Sequence, residues 1–266
     1  MTEEKELLVD FDDNVAVLTL NRPARRNALS TSLLISLASN LEQVAERGET
    51  RCAVIRGAGE KAFSAGMDLA GVPEGVPEEI QKSIEEKGPL QYGLDAIEQC
   101  PLPVIAMIRG YAVGAGCELA MACDLRSGSM DCRMGMPPAR LGIVYPPAGL
   151  QRFMRNIGLS STMKLFLTAK IFHAGEAMQM GMLNYVFTDD EVEAQTIKIA
   201  KEIARNAPLS VMGHKRSLYL LTRPAAISDG DQSEVDTLMM NALASEDAKE
   251  GLAAFIEKRD PVFKGE

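Results

Sequence analysis

The chain of 266 residues contains no tryptophan and only two histidines, His173 and His214. Neither histidine lies within helical reach of the other, and no CxxC pair occurs, so no structural zinc site is expected. The GxSxG elbow is also missing and neither histidine is near Ser64 in sequence, which leaves a Ser-His-Asp hydrolase without support. His173, before a predicted helix start at Ala174, and His214, on an amphipathic stretch, both read as structural. The five cysteines (52, 100, 117, 123 and 132) are odd in number and lie mostly in apolar runs, which suggests reduced core residues. No apolar run approaches the ~18–20 residues of a membrane span. Met1-Thr2-Glu3-Glu4-Lys5-Glu6 is charged, with neither an apolar signal core nor an arginine-rich transit pattern, so cytoplasm is the expected location. A net charge of −9 argues against a nucleic-acid partner, because phosphate backbones need clustered Lys and Arg. It leaves room for a small phosphate-bearing ligand, for which Arg22, Arg25 and Arg26 form the densest basic cluster near the start.

The apolar content of 46% is ordinary for a globular chain of this length, which can bury one sizeable core. Leu7–Phe11 and Val15–Leu20 alternate around Asp12-Asp13-Asn14 and predict a hairpin. Ser30 or Thr31 caps an amphipathic helix running to about Arg47, which Gly48 ends. Cys52–Arg56 reads as a strand, 71–77 as a loop, and 78–99 as a helix broken at Gly88-Pro89. Strand 103–108 and a helix from 114 complete repeated ββα-like units. Beyond Pro146-Pro147 the pattern is helical, over roughly 148–157, 160–168, 174–180, 191–206, 208–222, 230–244 and 247–258.

Glu118 is the residue that most needs explaining. It stands in Gly114-Ala115-Gly116-Cys117-Glu118-Leu119-Ala120-Met121-Ala122-Cys123, directly after the apolar run Pro103–Ile108, on a path that leads through a core. An unpaired charge there would cost several kcal/mol or shift its pKa upward. A helix starting near Gly114 or Ala115 offers N–H groups without intrahelical acceptors, and Glu118 follows about one turn later on nearly the same face. An oxyanion donor and an acid or base would then share one rigid element. A carboxylate satisfied by a backbone or arginine partner is the alternative. A second segment, Ala62-Phe63-Ser64-Ala65-Gly66-Met67-Asp68-Leu69, has small residues that permit close backbone approach, so the Met67 N–H could converge with that of Ala115. Asp68 reads more simply as a helix N-cap than as a catalytic group. Gly114-Ala115-Gly116 also begins like a dinucleotide fingerprint, but Leu119 holds the place of the third glycine.

Phe63–Leu69 and Gly110–Ala120 resemble the two signature segments of the crotonase (enoyl-CoA hydratase/isomerase) superfamily. Leu20-Asn21-Arg22-Pro23 with Asn27-Ala28-Leu29 resembles its N-terminal CoA-contacting stretch, and Phe255–Arg259 its C-terminal signature. The resemblance runs from about Leu7 to Lys264. It implies an α/β fold: a spiral of ββα repeats over 1–200 that carries the acyl-CoA site, and a C-terminal helical oligomerisation region over 201–266. It also implies a homotrimer or dimer of trimers, with coenzyme A entering as part of the substrate and no tightly bound cofactor. By the same resemblance Met67 and Ala115 donate the oxyanion N–H groups and Glu118 is the acid or base. Arg22, Arg25, Arg26, Ala28, Ala65, Gly66, Asp68, Leu69 and Gly114 contact CoA, with Phe255 and Lys258 arriving from a neighbouring subunit.

Hydratases of this family usually carry a second glutamate, which falls at Pro138 here, and a proline transfers no proton. Tyr145, in Gly142-Ile143-Val144-Tyr145-Pro146, is the candidate substitute. Methylmalonyl-CoA decarboxylases of the family place a tyrosine there, although they typically carry histidine where this chain has Met67. A tyrosine that merely packs the loop is the alternative. Hydration is the first expectation, double-bond isomerisation the second and decarboxylation the third, with a CoA-binding pseudoenzyme as the non-enzymatic reading. Met67, Val72, Ile80, Ile84, Leu90, Tyr92 and Leu94 are expected to form an apolar acyl pocket or lid.

Overall fold

The computed structural model describes residues 5–68, 73, 75–222 and 228–265. In chain order the first elements are β1 (Leu7–Asp12), β2 (Val15–Leu20), α1 (Thr31–Glu46), β3 (Cys52–Gly57), β4 (Ala62–Ser64), α2 (Glu78–Lys87) and α3 (Pro89–Gln99). Then come β5 (Val104–Ile108), β6 (Tyr111–Val113), α4 (Ala115–Ala122), β7 (Leu125–Ser129), β8 (Arg133–Gly135) and α5 (Pro147–Thr168). The chain continues through β9 (Ile171–His173), α6 (Ala174–Gln179), β10 (Tyr185–Phe187), α7 (Val192–Ala204), α8 (Pro208–Leu221), α9 (Asp229–Ala244) and α10 (Glu246–Glu257).

A six-stranded sheet has the order β1-β2-β3-β5-β7-β10, antiparallel only in the β1–β2 hairpin. A four-stranded sheet has the order β4-β6-β8-β9. Successive turns of chain therefore place one strand in the large sheet, the next in the small sheet, and then a helix. β3–β4 followed by α2 and α3, and β5–β6 followed by α4, are two such turns, and they form the expected α/β spiral of ββα repeats. β2 and β5 are buried along their whole length, which accounts for their sequences being apolar throughout except at Thr19. On one face Val15, Val17, Val54, Ile105 and Met107 pack against Val192 and Ala200 of α7, and α1 packs on α3 elsewhere in the unit. Each large aliphatic side chain so buried contributes about 1.5–3 kcal/mol.

The expected punctuation is present. The Ser30 hydroxyl accepts the Leu33 N–H at 3.1 Å and caps α1, while Gly88 separates α2 from α3 with a φ of 81°. The two helices expected over 148–168 form one element interrupted at Gly158, whose φ is 71°. All five cysteines are free and buried, and burial pushes the Cys52 and Cys132 thiols up to about 12. Lys215 anchors α8: its ammonium contacts Asp124 at 2.7 Å and donates to the Leu102 carbonyl at 2.9 Å. Asp124 also accepts the Val104 N–H at 2.7 Å. Burial raises the Asp124 carboxyl above its usual range, and Lys215 opposes that shift.

The described residues of 5–134 and 172–221 form one compact unit, and those of 135–171 and 222–265 a second. The chain leaves the first unit within β8 and re-enters it within β9. In the second unit the 3-10 turn Pro138–Leu141 lies directly on α10, where a Cβ added to Gly251 would stand 2.7 Å from the Leu141 carbonyl carbon. Among the described residues no helix is long and apolar enough to cross a membrane, and no group of three or more His, Cys, Asp or Glu could hold a metal ion.

Candidate active site

Two backbone arms of the first unit meet beyond the C-terminal ends of β3 and β5. The first arm follows β4. Its peptides are tied to the loop before α1: Ala65 N–H donates to the Arg26 carbonyl at 3.0 Å, Leu29 N–H to Gly66 at 2.8 Å, and Asp68 N–H to Leu29 at 2.9 Å. Among the described residues no peptide bond is cis. In a planar trans peptide the C=O and N–H point in opposite directions. Because the Gly66 carbonyl faces Leu29, the N–H of the same peptide, which belongs to Met67, faces away from Leu29.

The second arm runs from β6 through Gly114 (φ 57°) into α4. Glu118 N–H donates to the Gly114 carbonyl at 3.0 Å, so Ala115 lies in the first helical turn, where an N–H has no intrahelical acceptor. All eight residues of α4 are buried, and Glu118 itself is 3% exposed.

The arms touch through glycine. A Cβ on Gly116 would stand 2.4 Å from the Ser64 carbonyl oxygen and 2.7 Å from the Ser64 Cβ. A Cβ on Gly66 (φ 113°) would stand 3.2 Å from the Val113 carbonyl oxygen and 3.8 Å from the Ala115 nitrogen. Parallel pairing of β4 with β6, Ser64 opposite Ala112, sets this register. The backbone at Gly66–Met67 is thus held beside the start of α4, with a buried carboxylate one turn further on.

The remaining candidates have varied surroundings. Arg25 and Arg26 are exposed on the 3-10 turn Pro23–Arg25 and at its end. Arg22, expected beside them as a phosphate contact, turns inward instead. Its guanidinium meets Glu6 at 2.7 Å, Asp68 at 2.7 Å and the Ala28 carbonyl at 2.6 Å. Asp68 accepts from Arg22, and the helix it was expected to cap would start at residues outside the described ones, as do Leu69 and Val72. Ala65 is exposed, and Gly114 and Ala28 are half-buried.

Phe255 and Lys258 are exposed at the end of α10, where Lys258 takes a φ of 57°. Tyr145 belongs to the second unit, where its ring lies 5.4 Å from Phe166, which in turn stands edge-on to Phe153 at 5.1 Å. Pro138, in the same unit, is buried at the start of its 3-10 turn.

The expected apolar pocket is not one surface. Ile84 and Leu94 are buried, whereas Ile80 and Tyr92 line a cleft of about 560 Å3 between α1, α2 and α3. That cleft also receives Glu42, Glu46, Lys87 and Asp95, so its lining is mixed polar and apolar, and no catalytic candidate lines it. Asn27, which entered the sequence reading only as part of the N-terminal stretch and with no role of its own, is fully buried. Its Oδ1 accepts the Arg22 N–H at 3.1 Å and its Nδ2 donates to the Ala58 and Ala62 carbonyls at 3.0 and 2.8 Å. Its φ of 54°, one residue after Arg26 at 51°, marks a turn that no local motif announces.

Gly116→Ala should destabilise the protein by about 1–3 kcal/mol, because the new methyl meets backbone that has no rotamer to change. The ~1 kcal/mol gained in helix propensity offsets only part of this. Chemical denaturation measures the difference, and a variant as stable as the parent would show that the two arms do not press on each other.

The enoyl-CoA hydratase/isomerase family model matches residues 10–266. The 2,3-dehydroadipyl-CoA hydratase of Escherichia coli (strain K12) is 36% identical over 98% of this chain and 99% of its own. Among solved structures, methylmalonyl-CoA decarboxylase complexed with 2S-carboxypropyl-CoA matches with a TM-score of 0.89 at 30% identity, covering 100% of both chains. An enoyl-CoA hydratase/carnithine racemase from Magnetospirillum magneticum matches with a TM-score of 0.75 at 32% identity, over 99% of this chain and 97% of that one. A spiral of ββα turns, two glycine-mediated backbone arms and a buried glutamate on the second arm accompany these full-length matches, and the chain belongs to the enoyl-CoA hydratase/isomerase family of enzymes.

Proposed function

We propose that this enzyme binds an acyl-CoA thioester with its carbonyl oxygen between the Met67 and Ala115 N–H groups, and that its reaction is decarboxylation of a short acyl-CoA that carries a carboxylate on Cα. The observation that carries the choice of reaction is the likeness to methylmalonyl-CoA decarboxylase, at a TM-score of 0.89 over the whole of both chains, against 0.75 for the hydratase/racemase. Pro138 at the place of the second family glutamate supports the same choice, since two-carboxylate hydration lacks a member. Sequence reasoning placed hydration first, and the structural likeness moves decarboxylation ahead of it.

Loss of CO2 leaves the electron pair of the broken C–C bond on Cα, delocalised onto the thioester oxygen as an enolate. Two N–H groups aimed at that oxygen stabilise the developing charge, and removing one such donor typically costs about 10²–10³ in rate. Glu118, in its acid form, returns a proton to Cα and is recharged from solvent, so one proton is consumed per CO2 released. The adenosine phosphates lie toward the exposed Arg25 and Arg26, and Ala28, Ala65, Gly66 and Gly114 offer the ligand backbone with little side-chain bulk.

Hydration is the second reading, favoured by the 36% identity to 2,3-dehydroadipyl-CoA hydratase. There Glu118 takes a proton from water as the oxygen adds to Cβ, and then gives that proton to Cα of the same enolate. Methylmalonyl-CoA and crotonyl-CoA, offered separately and followed by mass spectrometry, distinguish the two. Loss of 44 mass units from the first supports decarboxylation, and gain of 18 by the second with no loss from the first selects hydration. Glu118→Gln should reduce hydration by about 10²–10⁴-fold and decarboxylation less, because cleavage of the C–C bond needs no base.

We also propose a homotrimer or dimer of trimers. Leu218 and Leu221 on α8, Leu238 and Leu243 on α9, and Phe255 and Ile256 on α10 are all more than half exposed, more apolar surface than a monomer of this size usually leaves open. Light scattering at micromolar concentration should return three or six times the chain mass of 28.8 kDa, and a monomeric mass would contradict the proposal.

A further inference from the structure

Arg22 forms the centre of a cross-tie between the two segments that flank Met67. One guanidinium nitrogen holds the Ala28 carbonyl at 2.6 Å, on the loop whose next residue, Leu29, orients the Gly66–Met67 peptide. A second holds the Asp68 carboxylate at 2.7 Å, on the residue immediately after Met67. The third, Nε, meets Glu6 at 2.7 Å. The other Glu6 oxygen accepts the Ser30 and Ser32 hydroxyls at 2.7 and 2.5 Å, which ties the assembly to the start of α1. Asn27 completes it by accepting the Arg22 N–H. Asp68 is therefore held twice, by its backbone N–H on Leu29 and by its carboxylate on Arg22.

We infer that Arg22, with Asp68 and Glu6, is a positioning residue that fixes the direction of the Met67 N–H and does not contact the phosphates of the ligand. This rests on the reading of the Met67 N–H as a donor to the thioester carbonyl. All three guanidinium nitrogens already have partners inside the protein, in a side chain only 15% exposed. The trio of one arginine and two carboxylates has a formal charge of −1, so its field repels a phosphate while that of Arg25 and Arg26 attracts one. The ties also act on the Ala28–Leu29 peptide, whose N–H holds the Gly66 carbonyl, and on the side chain of Asp68, the residue after the donor, so their loss would let the Gly66–Met67 peptide plane rotate and re-aim the N–H. Misplacement of about 1 Å in an active site can cost about 10²-fold in rate.

The test uses the full-length protein and butyryl-CoA labelled with 13C at the carbonyl, a saturated thioester that neither hydrates nor decarboxylates. Difference infrared spectroscopy reads the C=O stretch of the bound ligand, calorimetry reads the affinity for CoA itself, and thermal unfolding checks the fold. Binding to the parent protein should lower the C=O frequency. Asp68→Asn and Arg22→Lys should lose at least about half of that shift while CoA affinity stays within about twofold. Asp68→Asn keeps the size of the side chain and an acceptor oxygen, and it carries the test by itself if Arg22→Lys does not fold. A full shift in both variants would overturn the positioning role and leave the Met67 donor intact. Weakened CoA binding by Arg22→Lys with a full shift would make Arg22 a phosphate contact. Absence of any shift in the parent would overturn the donor reading, and the inference with it.

Discussion

The contact of Gly116 with Ser64 is the constraint on which the rest of the site depends. A glycine at the second position of α4 lets helix backbone lie against strand backbone with no side chain between them. That distance sets how closely the Met67 and Ala115 peptides approach. Hydrogen bonding then sets direction: the Leu29 N–H holds the Gly66 carbonyl and the Gly114 carbonyl holds the Glu118 N–H, so each arm is pinned on the side away from its open donor. On the proposed reading, neither donor needs to reorganise when charge develops on the thioester oxygen, and such preorganisation gives an oxyanion site most of its effect.

The fold delivers both arms to the same place by the same route. β3 and β5 are adjacent parallel strands of the large sheet, and each is followed by a strand of the small sheet, β4 or β6, which are themselves parallel neighbours. Two consecutive ββ turns therefore end side by side, one in the Ala65–Asp68 segment and the other in α4. Burial of all eight α4 residues accounts for the absence of charge there apart from Glu118. A carboxylate retained at 3% exposure is set apart from solvent on a rigid helix, a setting suited to holding or delivering one proton at a fixed point.

Much of this was legible in the residues, because the long elements carry strong periodic or capping signals. Ser30 before α1, Gly88-Pro89 between α2 and α3, and the apolar run of β5 each mark an element by local chemistry. The short strands β4 and β6 through β10 left no such mark, since three to five residues are too few to show alternation, and β7 reads Leu-Arg-Ser-Gly-Ser. The site divides in the same way. Glu118 stood out as one charge in an apolar stretch, and Gly66 and Gly116 as small residues in two motifs. The inward turn of Arg22 had no local signal: its partners Glu6 and Asp68 lie 16 residues before and 46 after it, and nothing in Arg22-Pro23-Ala24-Arg25-Arg26 separates the braced arginine from the open ones. Ile80 and Tyr92 misled for a related reason. Helical periodicity identifies an apolar face without saying which neighbour it meets, and theirs meets a cleft beside α1 that charged side chains share.

In the proposed reading, decarboxylation and hydration share one intermediate, a thioester enolate held by two backbone donors beside Glu118, and that intermediate can be tested without knowing the natural acyl group. If the enzyme protonates an enolate at Cα, microscopic reversibility requires it to remove that proton as well. Propionyl-CoA incubated with the protein in D2O and followed by proton NMR should exchange its Cα hydrogens faster than in buffer, and Glu118→Gln should abolish the acceleration. Propionyl-CoA that binds but exchanges no faster than in buffer would contradict the account.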